Sequence, residues 1–522
     1  MARMAKTYYI TTAIDYTNAA PHIGHAYEKI LADVLARFHR LKGEQVYFLT
    51  GVDQHGQKVQ QAAQKAGIEP AQYASEVTEK FTALWAKLGV RYDGWAATTD
   101  PRHRRCVQRI LQRLHDEGQL YKASYGGYYS VRQEQFLTDK ERGAGGEFGP
   151  EWGEVVYIEE ENWYFKLSPH RDWLIGFVET HPEFVFPGFR HTELLNAVRK
   201  LAGDLSISRP KERLAWGIGL PFDPGYVTYV WFDALINYIS FAGYLSDGSD
   251  GLPRFDDLWP ADAHVIGKDI LVPAHGIYWP IMLHALGLPD DRIAPLLVHG
   301  YINSAGAKMS KSLGNIVDPD ALADKYTPEA LRYYLMRDCS MGQDMEFAEE
   351  RLVSRFNTDL ANGLGNLLNR TLNMAARYRA GILTRAPHED AGIRQVEEAA
   401  AAAVESYTAR MDEYQIHLAL EAVWSFVSRC DQLVEASAPW KLARDPAQAA
   451  RLDAVLYALA ESLRILAILA APVMPNASAA ILGQLNVPGT PLLAAAQWGG
   501  LQDQHQLSQP VPVFPRIESG QA

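Results

Sequence analysis

Apolar positions follow two rhythms along this chain, and the switch between them divides it. Residues 6–12 (KTYYITT) are β-branched and aromatic, as in a short buried strand. Ile30, Leu31, Val34, Leu35, Phe38 and Leu41 then recur at helical spacing, which predicts a helix over 26–41. A second strand pattern, 45–50 (QVYFLT), is again followed by a helix. Strand, helix, strand, helix at this spacing predicts an α/β Rossmann-type, doubly wound parallel sheet, with ligand loops at the strand C-termini. From about Tyr121 the rhythm changes. Gly126, Gly127, Tyr128 and Tyr129, with the glycine-rich 142–153, read as hairpins and loops, and 154–167 alternates like sheet. This predicts a β-rich insertion. Helical patterns resume by Arg171 and run through 190–205, and strands are then expected at 226–232 (YVTYVWF), 263–267 and 296–300. From about Pro328 to Val487 the chain is rich in Ala, Leu, Glu and Arg at helical spacing, an all-α helical bundle. The proline-rich 509–517 is expected to pack as an extended strap. The expected organisation is a first half-domain (1–120), a connective insertion (121–225), a second half-domain (226–327), a linker region (328–355) and a helical domain (356–522).

Composition narrows the function classes without choosing among them. With 522 residues, 48% hydrophobic and 21% charged, the chain is an ordinary globular sequence long enough for several cores. Three widely spaced cysteines, Cys106, Cys339 and Cys430, argue against a disulfide framework and fit a reducing cytosol. No signal-like apolar segment precedes the first strand, and the longest apolar run, 465–474, is broken by Pro472 and too short to span a bilayer. No membrane association is expected. A net charge of −12 does not advertise a nucleic-acid binder, although it averages over faces and leaves room for a local basic surface.

Two stretches carry the chemistry. In 16–25 (YTNAAPHIGH), His22 and His25 fall where a strand turns into a helix, a site of unsatisfied N–H groups and positive dipole. At i, i+3 the imidazoles share a face, and Gly24 removes a side chain that would hold a nucleotide off the backbone. An isolated HxGH is more often two solvated histidines at a helix start, so the pattern needs a second element. Asp53, in the loop after the second strand, reads equally well as a cap or as a ligand group. The second element is 305–315 (AGAKMSKSLGN), a loop of small residues carrying two ammonium groups and two hydroxyls after the strand at 296–300.

With both elements present, the sequence resembles the class I aminoacyl-tRNA synthetases, whose paired signatures stand here as HIGH (22–25) and KMSKS (308–312). Within that class it is similar to the methionyl-tRNA synthetases over essentially its whole length. The supporting stretches are 13–16 with Asn18, 50–56 (TGVDQHG), 206–209, 230–235 (VWFDAL), 266–269, 299–301 and 438–440. The resemblance implies a methionine–tRNA ligase that uses ATP with Mg²⁺ to make methionyl-adenylate, then charges tRNA(Met), initiator tRNA included. It assigns His22, His25, Lys308 and Lys311 to the phosphates and transition state. Gly24, His25, Glu28, Gly267, Asp269, Ile302 and Lys311 are assigned to ATP. For L-methionine it implies Ala13, Ile14, Tyr16, Trp231, Tyr238 and His275, with Asp53 on the α-ammonium; by spacing alone core is the better reading of Trp231 and Tyr238, and the motif context reverses it. Asn366, Arg370 and Trp440 match anticodon-reading positions, with bundle packing the alternative for Trp440.

Two departures from the family pattern stand out. The chain is one residue longer around 271–274 and lacks the usual aromatic before His275. Many relatives carry a zinc knuckle in the insertion, but 126–161 contains neither cysteine nor histidine, so no zinc is expected. A cytoplasmic monomer is the expected state. Another class I synthetase, a small-molecule adenylyltransferase and a non-catalytic tRNA-binding paralogue are the alternatives. The short insertion, the helical bundle and the intact histidines and lysines, respectively, weigh against them.

Overall fold

The computed structural model describes residues 7–130, 135–137, 139–143, 145–304, 306–308, 316–489 and 491–518. Its centre is a parallel sheet built from β1 (Tyr8–Thr12), β2 (Asp15–Tyr16), β3 (Val46–Asp53), β4 (Gly94–Ala97), β5 (Val185–Phe186), β6 (Ala263–Gly267) and β7 (Leu296–His299). Across the sheet the order is β4, β3, β1, β6, β7, β5, with β2 continuing β1 along β3. The register sets Tyr8 beside Val46 and Ile10 beside Ala263. β1 and β6 are buried along their whole length because helices cover both faces, which explains why neither shows the polar alternation of a half-exposed strand. One core lies on each face of the sheet, and one of the two continues into the helical bundle.

The first helix, α1 (Ile23–Leu41), begins three residues before the apolar periodicity shows it. Its start is set by a cap rather than by packing. His22 has extended backbone angles and its Nδ1 accepts the Gly24 N–H, while His25 Nδ1 accepts the His22 N–H.

Three expectations are corrected. Gly126 and Gly127 do not turn: Leu120–Ser130 is one continuous strand, paired antiparallel with Val155–Phe165 from Leu120↔Phe165 to Ser130↔Val155. The glycines make room for aromatic rings, since a Cβ would meet Tyr157 Oη at 2.7 Å on Gly126 and Tyr125 Cε1 at 2.6 Å on Gly127. The 226–232 run is a strand only over Tyr226–Thr228, which pairs with Ser208–Pro210; a helix, Val230–Leu235, takes over the rest. A short apolar run fits a buried helix as well as a strand, and here the consecutive burial of Phe232, Asp233, Ala234 and Leu235 is that of a helix enclosed on most sides rather than of an alternating strand. The helix expected through 205 ends at Arg199, and Leu205–Ser206 joins the edge of the antiparallel sheet.

The helical region includes Pro328–Asp338, Asn366–Arg379, Ala391–Asp412, Ile416–Ser437 and Ala449–Ala470. Ala449–Ala470 is buried almost all round and forms the bundle axis. Arg332 fastens the bundle to α1. Its guanidinium is 2.7 Å from Asp33 and donates to the carbonyls of Val473 and Pro472 at 2.8 and 3.0 Å. The tail is a strap, as expected: Asn357 exchanges two 2.9 Å hydrogen bonds with the Ile517 backbone, and Phe514 packs into the core.

Candidate active site and anticodon face

A cleft of about 650 Å³ opens at the C-terminal ends of β1, β3, β6 and β7. This is where an open parallel sheet collects ligand-binding loops. At one side lies the α1 N-terminus. Because Nδ1 of both His22 and His25 accepts a backbone N–H, each neutral ring carries its proton on Nε2. The rings lie 3.9 Å apart. Desolvation, with His22 and Lys29 nearby, pushes His25 well below the ordinary imidazole pKa, so it stays a neutral donor. Gly24 also lines the cleft, and a Cβ there would meet the His22 ring at 2.9 Å, so the cap itself requires glycine.

Beside the histidines, Glu28, Gly267, Asp269 and Ile302 line the cleft. Glu28 Oε2 is 3.1 Å from His299 Nε2, and Oε1 accepts from Lys29 at 2.7 Å. Burial opposes ionisation of Glu28, but Lys29 and His299 outweigh it and hold the carboxyl below its usual range.

At the other side Ala13, Ile14 and Tyr16 come from the β1–β2 end and Asp53 from the end of β3. Asp53 is buried, takes the Thr98 hydroxyl on Oδ1 at 3.3 Å, and is fixed through its backbone carbonyl, which accepts the Thr17 N–H at 2.9 Å. Trp231 and Tyr238 stand on Val230–Leu235 and Asn237–Ser240 and face His275. The Ile270 carbonyl accepts from His275 Nδ1 at 2.9 Å, so His275 Nε2 is an acceptor and takes the Tyr238 hydroxyl proton at 2.8 Å. Burial pushes His275 down to about 4, and it is therefore neutral at physiological pH. The departure noted at 271–274 falls in a kink: Val272 is extended (φ −115°, ψ 126°) inside the wide turn Leu271–Tyr278. That turn carries His275 back over the Ile270 carbonyl.

The bundle carries a second candidate site. Arg370 sits on Asn366–Arg379 with its guanidinium 6.0 Å from the ring centre of Trp440, which stands at the start of Pro439–Leu442. Together they edge a hollow of about 400 Å³ with Asn369, Asn373, Met374 and Tyr378. Asn366 is exposed on the same helix but does not line that hollow. Glu435 pairs with Arg370 at 2.7 Å.

The profile described as "tRNA synthetases class I (M)" matches residues 8–146 and 153–372, and that of the "anticodon-binding domain of tRNA ligase" matches 394–507. The chain belongs to the class I methionyl-tRNA synthetase family. A methionine–tRNA ligase of Deinococcus radiodurans is 42% identical over 95% of this chain and 72% of its own length. One of Rhizobium meliloti is 40% identical over the full length of both. The Mycobacterium tuberculosis methionyl-tRNA synthetase in complex with methionyl-adenylate superposes with a TM-score of 0.92 at 38% identity, covering 98% of this chain and all of that one. As a member of this family the chain is an enzyme, an aminoacyl-tRNA ligase.

The cleft thus gathers every described residue that the family resemblance assigns to ATP or methionine. Of the KMSKS lysines, Lys308 lies on the strand Ala307–Lys308, opposite Asn303, and Lys311 lies outside the described residues. Three groups escaped the sequence reading. Asp233 is fully buried and binds His55 Nδ1 at 2.7 Å and His103 Nε2 at 2.8 Å, so it ties the Asp53 loop to the helix that carries Trp231. Burial opposes its ionisation, but the two histidines hold the carboxyl below its ordinary range. Lys29 and His299 form the floor beneath Glu28. Asn373 and Tyr378 extend the bundle hollow, and their signal was the helical spacing from Arg370. Among the described residues no three histidine, cysteine or acidic side chains converge as a metal-ligand set, and no helix is long and apolar enough to cross a membrane.

Proposed function

We propose that the cleft holds L-methionine and MgATP side by side, joins them as methionyl-adenylate, and passes the methionyl group to tRNA(Met), initiator and elongator alike. In the first step a methionine carboxylate oxygen attacks the α-phosphorus in line, and the bond to the bridging oxygen breaks to release pyrophosphate. A ribose hydroxyl of the tRNA 3′ end then attacks the acyl carbon, and AMP leaves. The substrates supply nucleophile and leaving group, so the protein has to align them and offset charge. Mg²⁺ enters with the nucleotide as part of the substrate.

His22 and His25 donate from Nε2 to phosphate oxygens at the α1 N-terminus, where the backbone adds its own N–H groups. Lys308 and Lys311 neutralise the transition state and the leaving pyrophosphate. Gly24, Glu28, Gly267, Asp269 and Ile302 hold adenosine. Asp53 takes the α-ammonium, and Ala13, Ile14, Tyr16, Trp231, Tyr238 and His275 surround the thioether, a polarizable group suited to aromatic walls. Arg370 and Trp440 receive anticodon bases, with Asn366 reaching them from the same helix. Zinc has no part, and the enzyme works as a cytoplasmic monomer; its three cysteines are buried and unpaired.

The observation that carries this reading is the convergence of a histidine-capped helix N-terminus, the Asp53 carboxylate and the Trp231–Tyr238–His275 wall in one cleft. Lys311→Ala tests the assignment of the loop. Adenylate formation in a single turnover should fall about 10²- to 10³-fold, with methionine affinity nearly unchanged, because a cation there acts where charge develops. An unchanged rate removes Lys311 from its role.

A further inference from the structure

We propose that Lys29 is a positioning residue that locks the adenosine side of the cleft to its methionine side. The proposal rests on the reading of the cleft given above and names a residue that reading does not use. Lys29 lies on α1 one turn past His25 and is completely buried. Its ammonium has three protons, and each finds an acceptor: the Ala13 carbonyl at 2.9 Å, Asp15 Oδ1 at 2.8 Å and Glu28 Oε1 at 2.7 Å. The Trp85 ring lies 6.0 Å below.

These three acceptors belong to two different subsites. Glu28 faces adenosine, and its second oxygen is held by His299, whose Nδ1 is 2.8 Å from the Gly300 carbonyl. Both oxygens of Glu28 are therefore fixed, one from each side. Ala13 and Asp15 belong to the β1–β2 end. There Asp15 is in register with Val52 and Tyr16 with Asp53, so the placement of Asp15 sets the edge that presents Tyr16 and Asp53 to methionine. The second oxygen of Asp15 is buried without a hydrogen-bond partner, so Lys29 alone holds this carboxylate.

A buried ammonium costs more than an apolar side chain of the same size unless its geometry serves a purpose. Burial opposes the charge on Lys29, and Asp15 and Glu28 restore it. A floor built only for packing would have an aliphatic residue here and no reason to keep two carboxylates beneath an anionic substrate. With Lys29 charged, the cluster of Asp15, Glu28 and Lys29 instead gives Glu28 one orientation and the Ala13 carbonyl another, in a single frame.

Lys29→Met and the charge-balanced pair Lys29→Met/Asp15→Asn test this by methionine- and ATP-dependent pyrophosphate exchange. The single variant leaves Asp15 and Glu28 facing each other without their cation. The KM values for ATP and for methionine should both rise about tenfold or more, a misplacement effect on both substrates, with a smaller change in kcat. The titratable groups around this cluster are His299 bound to Glu28, His22 and His25 at the α1 N-terminus, and His275 and Tyr238, which feel Glu28 from the other side of the cleft. Burial already pushes the Asp15 carboxyl up to about 7 beside Lys29, so without Lys29 it is Asp15 that takes up a proton, and the single variant should recover activity as pH falls and that proton removes the repulsion between Asp15 and Glu28. In the double variant Glu28 keeps its His299 contact and no longer faces a carboxylate at Asp15. Its ATP KM should return toward wild type while the methionine KM stays raised, because the Ala13 carbonyl still lacks its donor. If the single variant does not fold, the double variant carries the test alone through that split. Wild-type KM values in either soluble variant, or an ATP KM that stays equally raised in both, would overturn the proposal even if the melting temperature drops. A wild-type enzyme without methionine-dependent exchange would instead refute the reading of the cleft.

Discussion

The cleft and the anticodon face of the bundle use the same kinds of side chain under opposite conditions. In the cleft charges are dry and their protons assigned: Lys29 gives three hydrogen bonds, Asp233 binds two histidines, and His275 is held to one tautomer by the Ile270 carbonyl. On the bundle Arg370 has a solvated partner in Glu435, Trp440 is half-buried, and Asn366 stands in water. On the proposed reading, the difference follows from what each face binds. Stabilising charge that develops on phosphate rewards dipoles fixed before the substrate arrives, because reorientation during the reaction is then avoided. Bases splayed from a tRNA loop are met by stacking surfaces and side chains that can adjust, where rigidity gains little.

Asp233→Ala probes the rigid half and should have the largest effect. It strips two buried histidines of their acceptor, so the unfolding free energy should fall by about 3–5 kcal/mol. Chemical denaturation measures this directly. A loss below about 1 kcal/mol, the value of an exposed ion pair, would mean that the cleft network is no stiffer than the bundle surface and would erase the distinction.

Trp440→Ala probes the adaptable half. Loss of one stacking surface is worth roughly 1–3 kcal/mol, about five- to 150-fold in tRNA affinity. Aminoacylation should weaken by that order while pyrophosphate exchange and melting temperature stay near wild type. A fall of about 3–5 kcal/mol in stability without a selective tRNA defect would instead make Trp440 a core residue.

What could be read from the sequence were features whose signal is local. The strand–turn–helix at 8–41 shows in its periodicity, and His22 and His25 in their position at the turn. Features that depend on chain segments meeting were hidden. Asp233 lies 178 residues from His55 and 130 from His103, and nothing at any of the three positions announces the others. Lys29 looks like a polar break on an apolar helix face until β2 is laid beside it. The 226–232 run carries too few residues to separate strand from helix, and only the pairing of Tyr226–Thr228 with Ser208–Pro210 shows where the change falls. Gly126 and Gly127 imitate a turn because room for a tyrosine ring, Tyr157 from the paired strand and Tyr125 from the same one, leaves the same mark in sequence as backbone freedom. KMSKS, by contrast, was legible only as a signature: the residues from Met309 to Asn315 lie outside the described structure.

On the proposed reading, methionine activation in the cleft needs nothing from the bundle's ligand. The direct test is amino-acid-dependent ATP–pyrophosphate exchange by the wild-type protein with no tRNA present. Exchange with methionine, and with no other amino acid at comparable rate, is the expected result, since the His22–His25 cap, Asp53 and the thioether wall are already in place. Exchange that appears only when tRNA is added, or that follows an amino acid other than methionine, would contradict a cleft preassembled for methionine activation.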